Sequence, residues 1–126
     1  MLLMVTMPRA TAPAIRVSRA LERTTHRPIT VVHVLGEHDF ASRSILATAL
    51  EPLQEDVTVD LSQCTFVETM VVGVIIGKAL ALRKHGFRLE LIVPPTAAFV
   101  WRAVEQLGVR TLMAVRDGPA PQLPPL

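Results

Sequence analysis

The sequence predicts an α/β fold: a mixed, mostly parallel sheet with an extra N-terminal edge strand and crossover helices between the later strands. Three observations carry this expectation. Short apolar or alternating runs such as ITVVHVLG, DVTVDLS and FRLELIV take turns with longer stripes of helical period. The connections between those runs are long enough to hold a helix, as parallel neighbours require. Half of the 126 residues are hydrophobic against 19% charged, enough apolar surface to bury one core without a metal or disulfide.

Each element follows in order. Residues 15–21, IRVSRAL, alternate and carry arginines and a serine, which suits an edge strand with one wet face. Residues 29–36 are apolar on both faces except at Thr30 and His33, the pattern of a central strand. Helix one starts after Asp39, an acceptable N-cap, with Ile45, Leu46, Ala49, Leu50 and Leu53 inward, and Pro52 helps to end it. Residues 56–62 form the next strand. Helix two runs from Met70 to His85 and Gly86 stops it. In 87–93, Phe87, Leu89, Leu91 and Val93 face inward; Pro94 and Pro95 end that strand. Thr96 caps helix three, whose stripe is Val100, Val104 and Leu107, and 111–115 is the last strand. The domain then spans 13–116, between an N-terminal tail (1–12) and a proline-rich C-terminal tail (117–126) with four prolines.

Composition excludes several functions. Net charge is only +2, the arginines are scattered, and four Phe and one Trp are the only aromatics, so a basic groove with stacking platforms for nucleic acid is not expected. Cys64 is alone, which leaves no internal disulfide and no cysteine-rich metal site. The opening MLLMVTM has no basic segment ahead of it and is cut by Pro8 and Arg9; no apolar run reaches the ~20 residues of a membrane span. A soluble, cytoplasmic protein is the expectation. GxGxxG, Walker, HExxH and GxSxG motifs are absent, and the four histidines sit at unrelated spacings. Neither a cofactor, a metal nor an enzyme activity is expected.

The informative stretch is TFVETMVVGVIIG, residues 65–77, where Glu68 and Thr69 precede a long uncharged run. Loops at the carboxyl ends of parallel strands are where such folds place their sites. The loop GEHDF (36–40) and the loop ending in Glu68–Thr69 leave the same edge, so Asp39 and Glu68 are expected to meet at a helix start. Thr69 is expected to cap that helix, worth ~1 kcal/mol. A phosphate there would be favoured by the orphan amides and would add nearly two negative charges. Gly73 and Gly77 share a helix face, expected to pack on the sheet, with a dimer groove as the alternative. Trp101 is expected to be partly buried core.

The ordered series ITVVHVLGEHDF, VTVDLSQCTFVET, GVIIGKALALRKHGFRLELIVPP and VWRAVEQLGV resembles the STAS domain of bacterial anti-sigma-factor antagonists. The resemblance implies a non-enzymatic regulator that binds an anti-sigma factor or a related serine/threonine kinase, and whose loop before helix two is phosphorylated by that kinase. The usual loop reads Asp-Ser-Ser-Gly. Matched by position, Met70 stands at the usual acceptor and Val71 at the glycine. The loop is also similar to that of stressosome STAS proteins, Val-Asp-Thr, which implies Thr69 as phosphoacceptor with Glu68 in place of aspartate. Two states follow from the resemblance: a domain switched at Thr69, or one constitutively competent to bind. The implied partner-binding residues are Asp39, Glu68, Thr69, Met70, Val71 and Gly73. A ligand-sensing module holding a nucleotide or lipid at the same helix start is the alternative. A homodimer through the edge strand or the helix-two face is also open.

Overall fold

The computed structural model describes residues 12–117 apart from residue 23. The expected tails therefore lie, but for residues 12 and 117, outside the described residues. Chain order is β1 (Ala14–Leu21), β2 (Pro28–His38), a 3-10 turn (Phe40–Ser42), α1 (Arg43–Leu50), β3 (Asp56–Asp60), β4 (Cys64–Val67), α2 (Thr69–Lys84), β5 (Leu89–Ile92), α3 (Ala98–Gln106), a second 3-10 turn (Val109–Thr111) and β6 (Ala114–Arg116). The fold is the expected α/β one, with a mixed sheet of order β1-β2-β3-β5-β6 and β4 paired to β2.

Among the described strands only β1 is antiparallel; it lies at the edge, in register with β2 from Ala14↔Leu35 to Leu21↔Pro28. From β2 onward the strand order advances in one direction, and right-handed crossovers then put all three helices on one face. The period of two explains which side chains they cover. Val32, Val34, Val57, Val59, Leu89 and Leu91 are buried toward the helices. Leu46 and Leu50 of α1, Val72, Ile75 and Leu82 of α2, and Val100 and Val104 of α3 close the core from above. Alternate residues, among them Ser18, His33, Asp60 and Glu90, line the opposite face, which none of the helices among the described residues covers.

Helix ends follow local chemistry. Gly86 takes φ 80° just beyond α2, a left-handed conformation that glycine adopts without a Cβ clash, and the amides of Gly86 and Phe87 return to the carbonyls of Arg83 and Leu82. Several expectations change. Asp39 caps a 3-10 turn ahead of α1 rather than α1 itself, and Ile45 is 41% exposed instead of inward. Ala97, not Thr96, is the N-cap of α3, with no side-chain cap. Thr111 ends a 3-10 turn, so β6 starts three residues later than expected. β4 was not expected: CTFV is short and its two middle residues are exposed, so it carries no hydrophobic alternation. No helix among the described residues is long and apolar enough to cross a membrane.

The thiol of β4 gives a direct check on packing. Cys64 is 3% exposed, its Sγ donates to Phe66 O at 3.2 Å, and burial pushes the thiol up to about 11. Native protein at pH 8 is expected to resist a thiol reagent that titrates one cysteine in urea. Because the folded value lies above the unfolded one, this group's stabilisation is intact below about pH 9 and is lost as pH rises toward about 11. Urea midpoints should therefore fall over that window, and less steeply in Cys64→Ala.

Candidate partner-binding surface

β2 runs eleven residues and outlasts β3, so its last three pair with β4 instead. Gly36 opposes Cys64 but Glu37 opposes Phe66, which leaves Thr65 unmatched. At this bulge Gly36 has φ 79°, again open to glycine without strain. The two parallel ends then lie side by side. Glu68 N–H donates to His38 O at 3.0 Å, joining the loop before α2 to the end of β2. His38 is fully buried beneath, and its Nε2–H donates to Leu35 O at 3.0 Å; its Nδ1 has no partner among the described residues.

Asp39 and Ser42 form a reciprocal capping box. Ser42 N–H donates to Asp39 Oδ1 at 3.0 Å, and Asp39 N–H donates to Ser42 Oγ at 3.0 Å. Glu68 reaches across: its Oε2 accepts from Phe40 N–H at 3.1 Å. One carboxylate thus ties the two loops together. The expected meeting of Asp39 and Glu68 at one edge takes this form, with Asp39 holding its own turn and Glu68 holding its neighbour.

That tie changes the helix start. Glu68, with extended backbone (φ −77°, ψ 153°), is the N-cap of α2, and Thr69 is the first helical residue; no side chain caps the helix. The expectation that Thr69 caps it is corrected: the Glu68 carboxylate is engaged by Phe40, and the Thr69 side chain lies one position too far along. Thr69 and Glu68 are half-buried. Met70 is 51% exposed, whereas Val71 is 0% exposed and belongs to the core, so its side chain offers a partner nothing. Gly73 is exposed.

Gly73 and Gly77 do not pack on the sheet as expected. A Cβ built on either would meet nothing within 4 Å. Val72, Ile75, Ala79 and Leu82 form the sheet-facing side. The opposite stripe is Met70, Gly73, Gly77 and Leu80, all exposed, spaced three and four apart, and uncharged. Lys78 is turned aside, its Nζ donating to Glu51 O at 3.2 Å. Beside the helix start, Phe40 and Phe66 are 50% and 37% exposed, and the Arg43 guanidinium lies 4.0 Å from the Phe40 ring centroid. The sequence reading missed both phenylalanines, although each adjoins the loop it singled out. Trp101 is half-buried against the core, with Nε1–H donating to Pro94 O at 2.8 Å.

The cross-tie can be tested alone. Glu68→Ala should cost about 1 kcal/mol, the net worth of one hydrogen bond, and should speed hydrogen exchange at the Phe40 amide. Thr69→Ala should change stability by less than that and leave Phe40 protected. Equal exchange in all three proteins would remove the tie.

Comparison with known proteins follows this geometry. A family model described as "Mlab, STAS domain" matches residues 21–115. Among solved structures, an anti-sigma factor antagonist from Mycobacterium paratuberculosis superposes with TM-score 0.66 at 16% identity, over 82% of this chain and 86% of that one. The Bacillus cell fate determinant SpoIIAA in its phosphorylated form gives 0.61 at 14% identity, over 84% and 92%. A Thermotoga maritima protein described as a possible anti-sigma factor antagonist gives 0.60 at 14% identity, over 81% and 86%. No curated protein matches the sequence. The structural likenesses establish a shared fold, and the family match over residues 21–115 establishes membership: the chain belongs to the Mlab-type STAS-domain family.

Proposed function

We propose that this STAS domain is a regulator that acts by docking, and that α2 with the loop before it is the contact. The observation that carries the reading is the exposed, uncharged stripe Met70–Gly73–Gly77–Leu80, which begins where Glu68 ties the two loops. Interface centres are depleted in charge, a flexible thioether adapts to the facing surface, and exposed glycines let another backbone come close. Phe40 and Phe66 supply aromatic anchors at one end, and Glu68 a charged rim. The partner class is an anti-sigma factor or a related serine/threonine kinase, in keeping with the antagonists that share the fold. Binding would sequester that partner from its own target.

Two modes of control fit the same surface. Phosphate on Thr69 would put nearly two negative charges beside Glu68 and reverse the character of the docking edge while the uncapped amides of α2 tolerate them. With Met70 at the position that carries the acceptor in most antagonists, a domain without that brake would be constitutively competent. Mass spectrometry of Thr69 in protein from stressed and unstressed cells separates them. A ligand-sensing role at the same helix start would instead show as a melting temperature raised by a nucleotide or an anionic lipid headgroup.

The docking role predicts opposite effects on folding and binding. Gly73→Ala and Gly77→Ala should each stabilise the monomer by about 0.5–1 kcal/mol, because alanine is the better helix former in open space. The same changes should weaken partner capture, and Met70→Glu should weaken it at least tenfold, about 1.4 kcal/mol. Capture unaffected by all three would place the contact elsewhere.

A further inference from the structure

The face of the sheet opposite the helices holds a second set of groups that the docking role does not use. His33 lies in β2 between the edge strand and β3, directly beside Asp60 in register and diagonal to Ser18, whose direct partner is Val31. Its Nδ1 is 3.0 Å from Asp60 Oδ2, and its Nε2 is 3.0 Å from Ser18 Oγ. The other Asp60 oxygen, Oδ1, accepts Ser62 N–H at 2.9 Å, which fixes the carboxylate. Asp60 is 4% exposed and the His33 side chain 15%, while Ser18 is half-buried on the edge strand.

In the neutral ring these contacts select one tautomer. A carboxylate accepts, so Nδ1 carries the ring proton, and Nε2 presents its lone pair to the Ser18 hydroxyl. Three strands thus bring together a hydroxyl, a base in hydrogen-bond contact with it, and a buried carboxylate that orients the base. These are the mutual contacts by which a serine nucleophile is recognised, independent of fold or chain order. Arg16 pairs with His33 in register on the same face.

We propose that Ser18 is a nucleophile for acyl transfer, with His33 as general base and Asp60 as its positioning carboxylate, acting on esters with short acyl groups, the size that a half-buried hydroxyl can reach. Ser18 Oγ bonds to the ester carbonyl carbon while its proton passes to His33 Nε2. The bond to the leaving alcohol breaks, and His33 returns the proton to that alcohol. Water then adds to the acyl-serine carbonyl, again giving its proton to His33. The acid leaves as Ser18 Oγ regains that proton, so ester and water become alcohol and acid.

The test uses the full chain with p-nitrophenyl acetate and a fluorophosphonate probe, with the modified residue located by mass spectrometry. The expected result is one label per chain on Ser18, a burst of one p-nitrophenolate, and loss of both in Ser18→Ala. His33→Gln, which retains hydrogen bonding without the base, should slow labelling by about 100-fold while circular dichroism stays native. Asp60→Asn should slow it by a smaller factor. If the three residues only brace the strands, Ser18→Ala lowers the melting temperature and wild type takes up no label. That result, or labelling of Ser18→Ala at the wild-type rate, overturns the proposal.

Discussion

β2 is the constraint on which the rest of the structure depends. A single eleven-residue strand pairs with β1 on one side, with β3 along its first half and with β4 along its last three residues. In its middle Val31, Val32 and Val34 are buried, on both faces of the sheet. Because β2 continues past the end of β3, the chain after Asp60 must turn, shift register and rejoin it. That detour, with Gly36 in positive φ and Thr65 unmatched, delivers Glu68 next to Phe40. A shorter β2 would leave the two loops apart and α2 without a fixed origin.

The start of α2 then shows how one side chain decides the character of a surface. A glutamate at an N-cap ordinarily serves its own helix, but Glu68 is committed to the neighbouring loop, so among the described residues the first amides of α2 have no side-chain acceptor. The helix is held instead by its buried face, from Val71 and Val72 to Leu82. With that face anchored, the outer stripe is free of packing duty. Two exposed glycines there reduce helix stability and gain nothing inside the monomer, which is why an external contact is the natural explanation.

Much of this architecture was legible in the sequence because hydrophobic period reports burial directly. The edge strand, the central strand, the three crossover helices and the stop at Gly86 all follow from it. β4 did not, since a four-residue strand with exposed Thr65 and Phe66 leaves no alternation. The orientation of α2 was also hidden: with apolar residues all round, period cannot say which side meets the sheet, and glycines at 73 and 77 fit either side. Threonine is a good cap locally, so the sequence points to Thr69, while the competing bond from Phe40 to Glu68 spans residues far apart in the chain. His33 read as a solitary strand histidine for the same reason; its partners Ser18 and Asp60 are neighbours only through register.

The central claim, that the outer stripe of α2 is the docking face, is tested most directly by a photo-crosslinking amino acid placed in the native cell at Leu80 and, separately, at Glu90 on the opposite face of the sheet. The account predicts a covalent adduct to one anti-sigma factor or kinase from Leu80 and none from Glu90. An adduct from Glu90 alone would show that the partner meets the opposite face of the sheet and would contradict it.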